Sequence, residues 1–408
     1  MTDTSIERWP NFTDEEAEAV SDVIRSNQVN YWTGTRTREF EKEFAVWADS
    51  EKAIALANGT VALDLAFAAL GIGARNGGNE TDEVIVTPRT FIASISSVVL
   101  AGARPVFADV DLDSGNIDAS TIAPVITQRT KAIVPVHLGG WPCDMDPMLE
   151  LAESCDAAVV EDCAQAHGAA YRGRSVGSFG AVGAWSFCQD KIMTTGGEGG
   201  MVTCQDGALW RRMWSYKDHG KSWEAVYERQ HPPGFRWLHE SFGTNWRMME
   251  MQAALGRIQL GRMADWTARR TANAQIFADR LERYAAPDGP LRLPRLEQAS
   301  YAEGSTHAYY RLYAYVRPDN LKDGWDRDRI VSEAASKGVP VMQGSCSEVY
   351  LEKAFDAEGL RPEKRLPNAR ELGSTSIAFL VHPSLTPETV AKSAEEFAAI
   401  LEEAALVG

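Results

Sequence analysis

"GAWSFCQDKIMTTGGEGGMVTC", residues 183–204, sets a single lysine, Lys191, between two short apolar runs, with four glycines and one glutamate behind it. Such runs predict buried strands on either side. The segment between them therefore reads as a connection at one edge of a sheet, not as a linker. It lacks the Gly-Lys-Ser/Thr ending of a phosphate-binding P-loop. Gly196, Gly197, Gly199 and Gly200 predict backbone that turns tightly and approaches a ligand without side-chain bulk. Glu198 either faces a substrate pocket or caps backbone.

Working outward, the same kind of run recurs: "KAIAL" (52–56), "EVIV" (83–86), "RPVFADV" (104–110), "KAIVPV" (131–136) and "DAAVVED" (156–162), with longer helical segments between. That alternation predicts an α/β fold, a mostly parallel sheet of seven strands with helices on both faces. Ligands of such sheets sit beyond the carboxyl ends of the strands, so the residues just after each run are the ones to inspect. Upstream, Thr13 and Glu16 have capping-box spacing for an opening helix. From about residue 265 the pattern changes to a long helix, "DWTARRTANAQIFADRLERYAA" (265–286), then a Pro/Gly connector, a strand-like "HAYYRLYAYV" (307–316) and a last helix capped by Thr386 with Pro387 in its first turn. The 408 residues exceed one usual hydrophobic core. Two domains are expected, a large one over 1–265 and a smaller C-terminal α+β domain over 266–408.

The formal charge of −16 opposes binding to nucleic acid or an anionic membrane surface. The first residues form no secretory signal, and no stretch is apolar enough to span a bilayer. Six scattered cysteines without C-x-x-C pairs fit free thiols in a reducing compartment, so the expected location is cytoplasmic. His219, His231 and His239 follow no metal-ligand spacing, and no metal is expected.

Four strand ends carry candidate chemistry. "NGTVALDLAF" places Gly59 and Thr60 at a helix N-terminus, where free N–H groups and the dipole favour phosphate; a plain helix cap has the same appearance. "TPRTFIAS" puts Phe91 after a strand, to stack on a flat ligand or to fill the core. "AAVVEDCAQAHGA" ends a buried strand in Glu161 and Asp162, with Gln165 and His167 following; carboxylates there need a partner, whether a ligand or a salt bridge. Ser186 and Lys191 emerge from the sixth strand, where a lysine can form a Schiff base or lie at the surface. Taken together these residues fit pyridoxal 5'-phosphate, which needs a lysine for its aldehyde and a carboxylate for its ring nitrogen.

In this order, "NGTVALDLAF", "TPRTFIAS", "VVEDCAQAHGA", "GAWSFCQDKIMTTGGEGGMV", "GTNWRMMEMQAALGRIQL" and "HAYYRLYAYV" resemble the DegT/DnrJ/StrS aminotransferases, which act on nucleotide-linked keto-sugars and have the fold-type I architecture. The resemblance implies that Lys191 forms the Schiff base and shuttles the proton, Asp162 pairs with the ring nitrogen, Gln165 lies near the ring hydroxyl and Phe91 stacks on the ring. Gly59, Thr60 and Ser186 would hold the phosphate, with Asn245 reaching in from the neighbouring subunit of a homodimer. His167, Glu198 and His307 are further candidates for the substrate pocket. Related 3-dehydratases have histidine at the position of Lys191, so lysine implies transamination: an amino acid, L-glutamate or glutamine, gives its nitrogen to the cofactor, which carries it as pyridoxamine 5'-phosphate to a keto-sugar. The expected setting is deoxyamino-sugar synthesis for lipopolysaccharide, O-antigen or a glycosylated secondary metabolite. Cyclitol aminotransferases, aminohydroxybenzoate synthases and non-catalytic cofactor-binding regulators have similar motifs. Between Arg211 and Arg247 seven basic residues face four acidic ones, and Lys217, Lys221 and Arg229 are expected to steer the diphosphate of a nucleotide.

Overall fold

A computed structural model describes residues 8–230, 234 and 236–406; His231 lies outside the described residues. The seven expected runs form one sheet: β1 (Lys52–Leu56), β2 (Glu83–Val86), β3 (Arg104–Phe107), β4 (Thr130–Val134), β5 (Ala158–Asp162), β6 (Val182–Ser186) and β7 (Gly200–Cys204). Their spatial order is β1-β7-β6-β5-β4-β2-β3. β7 alone runs against its neighbours β1 and β6; the pairings among β6, β5, β4, β2 and β3 are all parallel.

The runs are continuously apolar because both faces of the sheet are covered. Ile54, Leu56, Val84, Val86, Val160 and Val202 pack with the Gly59–Leu70 helix on one face. Their neighbours Ala53, Ala55, Trp185 and Met201 join the opposite layer with Phe40, Phe44, Phe187 and Met263. This two-residue alternation leaves the strand ends as the place where polar groups are accessible.

Thr13 and Glu16 cap the Asp14–Ser26 helix reciprocally, with Thr13 N–H donating to Glu16 Oε2 at 2.7 Å. The helix expected to begin near 265 is the second half of one continuous 32-residue helix, Glu250–Leu281. Its Ala-, Leu-, Gln- and Arg-rich start explains the extension. Ala253, Leu260, Met263 and Trp266 pack with the large sheet, whereas Ala274, Phe277 and Leu281 pack with the C-terminal layer. The division we propose, 1–265 and 266–408, thus falls inside a helix that serves both cores. The C-terminal part holds a four-stranded antiparallel sheet, ordered Leu291–Arg292, Leu312–Val316, Ser376–Phe379 and Val341–Met342. Only Leu312–Val316 of "HAYYRLYAYV" is a strand. Tyr309 has φ +47° and donates its N–H to His307 Nδ1 at 2.8 Å, which turns the chain before the strand begins.

Candidate active site

Strands β1, β2, β5 and β6 end at one edge of the sheet, and the side chains that follow them meet there. β5 ends in two carboxylates with opposite fates. Glu161 is fully buried and accepts N–H groups from Gly177 (2.7 Å), Phe179 (2.8 Å) and Gly180 (2.7 Å), and bonds His137 Nε2 at 3.1 Å. It is an anchor for the 177–180 turn. Its neighbour Asp162 points the other way. Ser94 Oγ donates to its Oδ2 at 2.7 Å and Ala164 N–H to its Oδ1 at 3.1 Å. Both bonds fix the orientation of the carboxylate. Sequence reading missed Ser94, although it closes the quoted "TPRTFIAS".

His137, Glu161 and Cys163 bring donor atoms within 4.8 Å of one another, but the imidazole and the carboxylate are committed within the protein, and the Cys163 thiol donates to the Glu161 carbonyl at 3.7 Å. His137 Nδ1 accepts the Cys143 N–H at 3.0 Å, and Glu161 accepts the bonds above. This cluster is a hydrogen-bonded core element.

Gly59 and Ser186 face one another across β7. A Cβ on Gly59 would lie 2.6 Å from Ser186 Cβ and 3.0 Å from its Oγ, closer than any side chain allows. Asn58 caps the following helix by accepting the Val61 N–H at 3.0 Å; half-buried Thr60 stands in its first turn. The result is a narrow cradle of helix N-terminus and hydroxyl, of the kind that holds phosphate. Gly200, at the start of β7, closes its floor: a Cβ there would meet the Asn58 carbonyl at 2.3 Å. Gly196 and Gly197 have φ of +90° and +121°, so the loop after Lys191 needs glycine for its conformation, and Gly200 for its contact with the cradle.

Phe91 is 68 % exposed, so it is not core and stands free to cover a planar ligand. Gln165 Oε1 accepts the Gly139 N–H at 2.8 Å, which leaves its amide nitrogen as the donor. His167 is fully buried against Trp185 and Phe187, and among the described residues neither ring nitrogen has a hydrogen-bond partner. Burial first, then the charges of Lys191 and Arg270, push its pKa down to about 3, so it is a neutral wall.

The side chain of Lys191 is 15 % exposed, its Nζ 4.0 Å from Asp190 Oδ1 and 5.3 Å from the centroid of the Tyr310 ring. Tyr310 OH donates to Asp190 Oδ2 at 2.5 Å. Burial raises the Asp190 pKa, but Lys191, the Tyr310 hydroxyl and Arg311 outweigh it, and the carboxyl ends below its ordinary value. Trp9 Nε1 donates to the Lys191 carbonyl at 2.7 Å. Asp190, Tyr310 and Trp9 were not anticipated; only adjacency to Lys191 and the motif around Tyr310 carried a signal.

The remaining expected residues are distributed differently. Glu198 and Asn245 are exposed. His307, 7 % exposed, packs between Trp141 and Tyr309, and burial lowers its pKa to about 3. Lys217 is corrected outright. It is fully buried, 3.7 Å from Glu41 Oε1 and 3.7 Å from the Tyr31 ring centroid, where burial lowers its pKa and Glu41 and Asp218 partly restore it. Lys221 is likewise buried, bonded to Asp218 at 3.0 Å above the Trp32 ring. Arg229 is exposed and pairs with Glu240 at 2.7 Å. The basic excess of this segment is therefore largely neutralised within the chain, by Glu41, Asp218, Glu224, Glu228 and Glu240.

The model of the DegT/DnrJ/EryC1/StrS aminotransferase family matches residues 10–398. A solved aminotransferase from Psychrobacter cryohalolentis is 62 % identical, with a TM-score of 0.95 over 98 % of this chain and 99 % of that one. The dTDP-3-amino-3,4,6-trideoxy-alpha-D-glucose transaminase of Streptomyces venezuelae is 34 % identical over 90 % of this chain and 87 % of its own length. GDP-perosamine synthase of Escherichia coli O157:H7 is 39 % identical over 66 % of this chain and 69 % of its own.

Proposed function

The chain belongs to the DegT/DnrJ/EryC1/StrS aminotransferase family, and from that premise we propose that it moves an amino group from L-glutamate, or glutamine, to a nucleotide-linked keto-sugar. It is a pyridoxal-phosphate-dependent aminotransferase, and its relatives include transaminases of nucleotide sugars. The observation that carries the reading is one sheet edge holding a partly buried lysine, an oriented carboxylate and a phosphate cradle.

When bound, pyridoxal 5'-phosphate supplies an aldehyde that carries nitrogen and a ring that takes up electron density. Asp162, held by Ser94 and Ala164, presents its charge to the ring nitrogen. Gly59, Thr60 and Ser186 hold the phosphate through N–H and hydroxyl groups, and Phe91 shields one ring face. Gln165 offers its amide N–H to the ring hydroxyl. Lys191 would hold the cofactor through its Nζ and, as a free amine, would move the proton of the donor's α-carbon; its side chain is only 15 % exposed, which limits exchange of that proton with solvent. Asp190, bonded to Tyr310, stands beside this amine. Asn245, exposed here, completes the phosphate site of a second copy in a homodimer. The setting we propose is deoxyamino-sugar synthesis.

The test is spectroscopic. Purified protein is expected to be yellow, to lose its visible band on L-glutamate and to regain it with a keto-sugar nucleotide. A yellow protein whose band no amino acid alters would refute the proposal.

A further inference from the structure

Two cations share one carboxylate beside the reactive amine. Among the described residues Lys191 Nζ has a single acid within ion-pair distance, Asp190 Oδ1 at 4.0 Å. The Tyr310 ring next to it carries Lys191 Nζ at 5.3 Å and the Arg311 guanidinium at 4.2 Å from its centroid. Arg311 bonds, among the described residues, only to Tyr310, through Nη1 to the carbonyl (3.0 Å) and Nη2 to the hydroxyl (3.5 Å). His167, whose pKa the charge of Lys191 helps to lower after burial, is buried and neutral. No other group offers Lys191 a negative charge among the described residues.

Asp190 is held for this contact. Tyr310, 6 % exposed, donates its hydroxyl to Oδ2 at 2.5 Å, which leaves Oδ1 for the amine. The bond ties the β6–β7 connection to the segment just ahead of the Leu312–Val316 strand. On the other side Trp9 Nε1 holds the Lys191 carbonyl at 2.7 Å. An amine that takes up a proton becomes an ammonium, and an ammonium here meets Arg311 as well as Asp190. A carboxylate about 4 Å away favours that charged form. The attraction is visible from the acid's side too: burial opposes the charge on Asp190, yet Lys191 leads the groups that bring its pKa below the ordinary value.

We propose that Asp190, oriented by Tyr310, is the counter-ion of Lys191 when the lysine is released and protonated, and is therefore a positioning residue for the proton transfer. This inference rests on the aminotransfer reading above. It has two consequences of opposite sign. Without the carboxylate the ammonium is less stable, so removal of the donor's α-proton slows. The same loss leaves more of the amine unprotonated, so cofactor-free protein captures pyridoxal 5'-phosphate faster. A carboxylate that only stiffened the loop would, on removal, slow both.

The experiment compares the wild type with Asp190→Asn, Asp190→Glu and Tyr310→Phe near neutral pH. In one assay cofactor-free protein is mixed with pyridoxal 5'-phosphate and growth of the visible band is timed. In the other the loaded protein is mixed with L-glutamate or its α-deuterated form, and loss of the band is timed across glutamate concentrations. The Asp190 side chain is 58 % exposed, so the charge pair acts largely through water. Asp190→Asn is expected to capture cofactor about 3- to 10-fold faster and to lose the band about 3- to 10-fold more slowly. Its deuterium effect rises and its half-saturating glutamate concentration is unchanged. Asp190→Glu, which retains the charge, returns both rates toward wild type, and Tyr310→Phe lies between. Capture that is unchanged or slower in Asp190→Asn overturns the counter-ion. So does a raised half-saturating glutamate concentration with the deuterium effect unchanged, which would assign Asp190 to donor binding. Wild-type rates for Tyr310→Phe in both assays overturn the orienting part. If the wild type itself ignores every amino acid, the aminotransfer reading fails, and the capture assay alone decides whether Asp190 balances the charge of Lys191.

Discussion

Glu161→Gln changes one atom in the buried anchor of the sheet edge, and its cost can be worked from the hydrogen bonds. Oε1 accepts two N–H groups, from Phe179 and Gly180; Oε2 accepts one from Gly177 and faces His137 Nε2. His137 Nδ1 accepts the Cys143 N–H, so Nε2 carries the ring proton and is a donor as well. All four groups around the carboxylate therefore donate. A glutamine amide has one oxygen and one NH2. Whichever way it is turned, the NH2 meets two donors, and two buried N–H groups lose their acceptor. At about 1–3 kcal/mol for each buried group left unpaired, the substitution costs about 2–6 kcal/mol. The assay is urea unfolding of the cofactor-free protein, comparing midpoints and slopes with the wild type. A loss below about 1 kcal/mol would mean that the turn 177–180 is held by something else and that Glu161 is not the anchor described.

Asp162→Asn retains one of its two protein bonds, so it should fold, while the donor half-reaction slows by about 10²–10⁴-fold, measured by stopped-flow loss of the visible band. Gly59→Ala places a Cβ 2.6 Å from Ser186 Cβ; overpacking of about 1–3 kcal/mol and weaker cofactor retention are expected, read from the thermal midpoint and from dialysis against free cofactor. His167, His307 and His382 are held neutral with pKa values of about 3, against an ordinary 6.5, with burial the first cause for each. The unfolded chain takes up their protons first, so stability is intact above pH 6.5 and falls toward pH 3, by about 1.4 kcal/mol per pH unit for each histidine. His382→Gln should remove one proton from the slope of unfolding free energy against pH. Lys217→Met leaves Glu41 buried without its cation and should cost about 3–5 kcal/mol, with the half-saturating nucleotide-sugar concentration unchanged because Lys217 meets no solvent.

Much of the site was legible because its residues follow strand ends, and strand ends can be read from short apolar runs. Gly59, Phe91, Asp162, Ser186 and Lys191 became candidates that way. What hid was whatever depended on distant chain segments. Ser94 and Asp162 are 68 positions apart, and Asp190 and Tyr310 are 120 apart, with no local pattern joining them. Lys217 was misread for the same reason: its counter-ion, Glu41, lies on a helix far upstream, so counting charges between Arg211 and Arg247 missed the acid that neutralises it.

The sequence by itself determined the α/β class and the seven strands, and it put Lys191 and Asp162 forward as candidates, because hydrophobic periodicity and strand-end position are local properties. What only the tertiary structure decided is the work of Glu161, which turns away from Asp162 and Ser94 to hold the 177–180 backbone, because adjacent strand residues point to opposite sides and the pattern does not say what fills each side. The tertiary structure also decided what the glycines after Lys191 are for. Two of them bend the loop, and Gly200 abuts the backbone of Asn58, a contact between segments more than a hundred residues apart that exists only once β7 is inserted between β1 and β6.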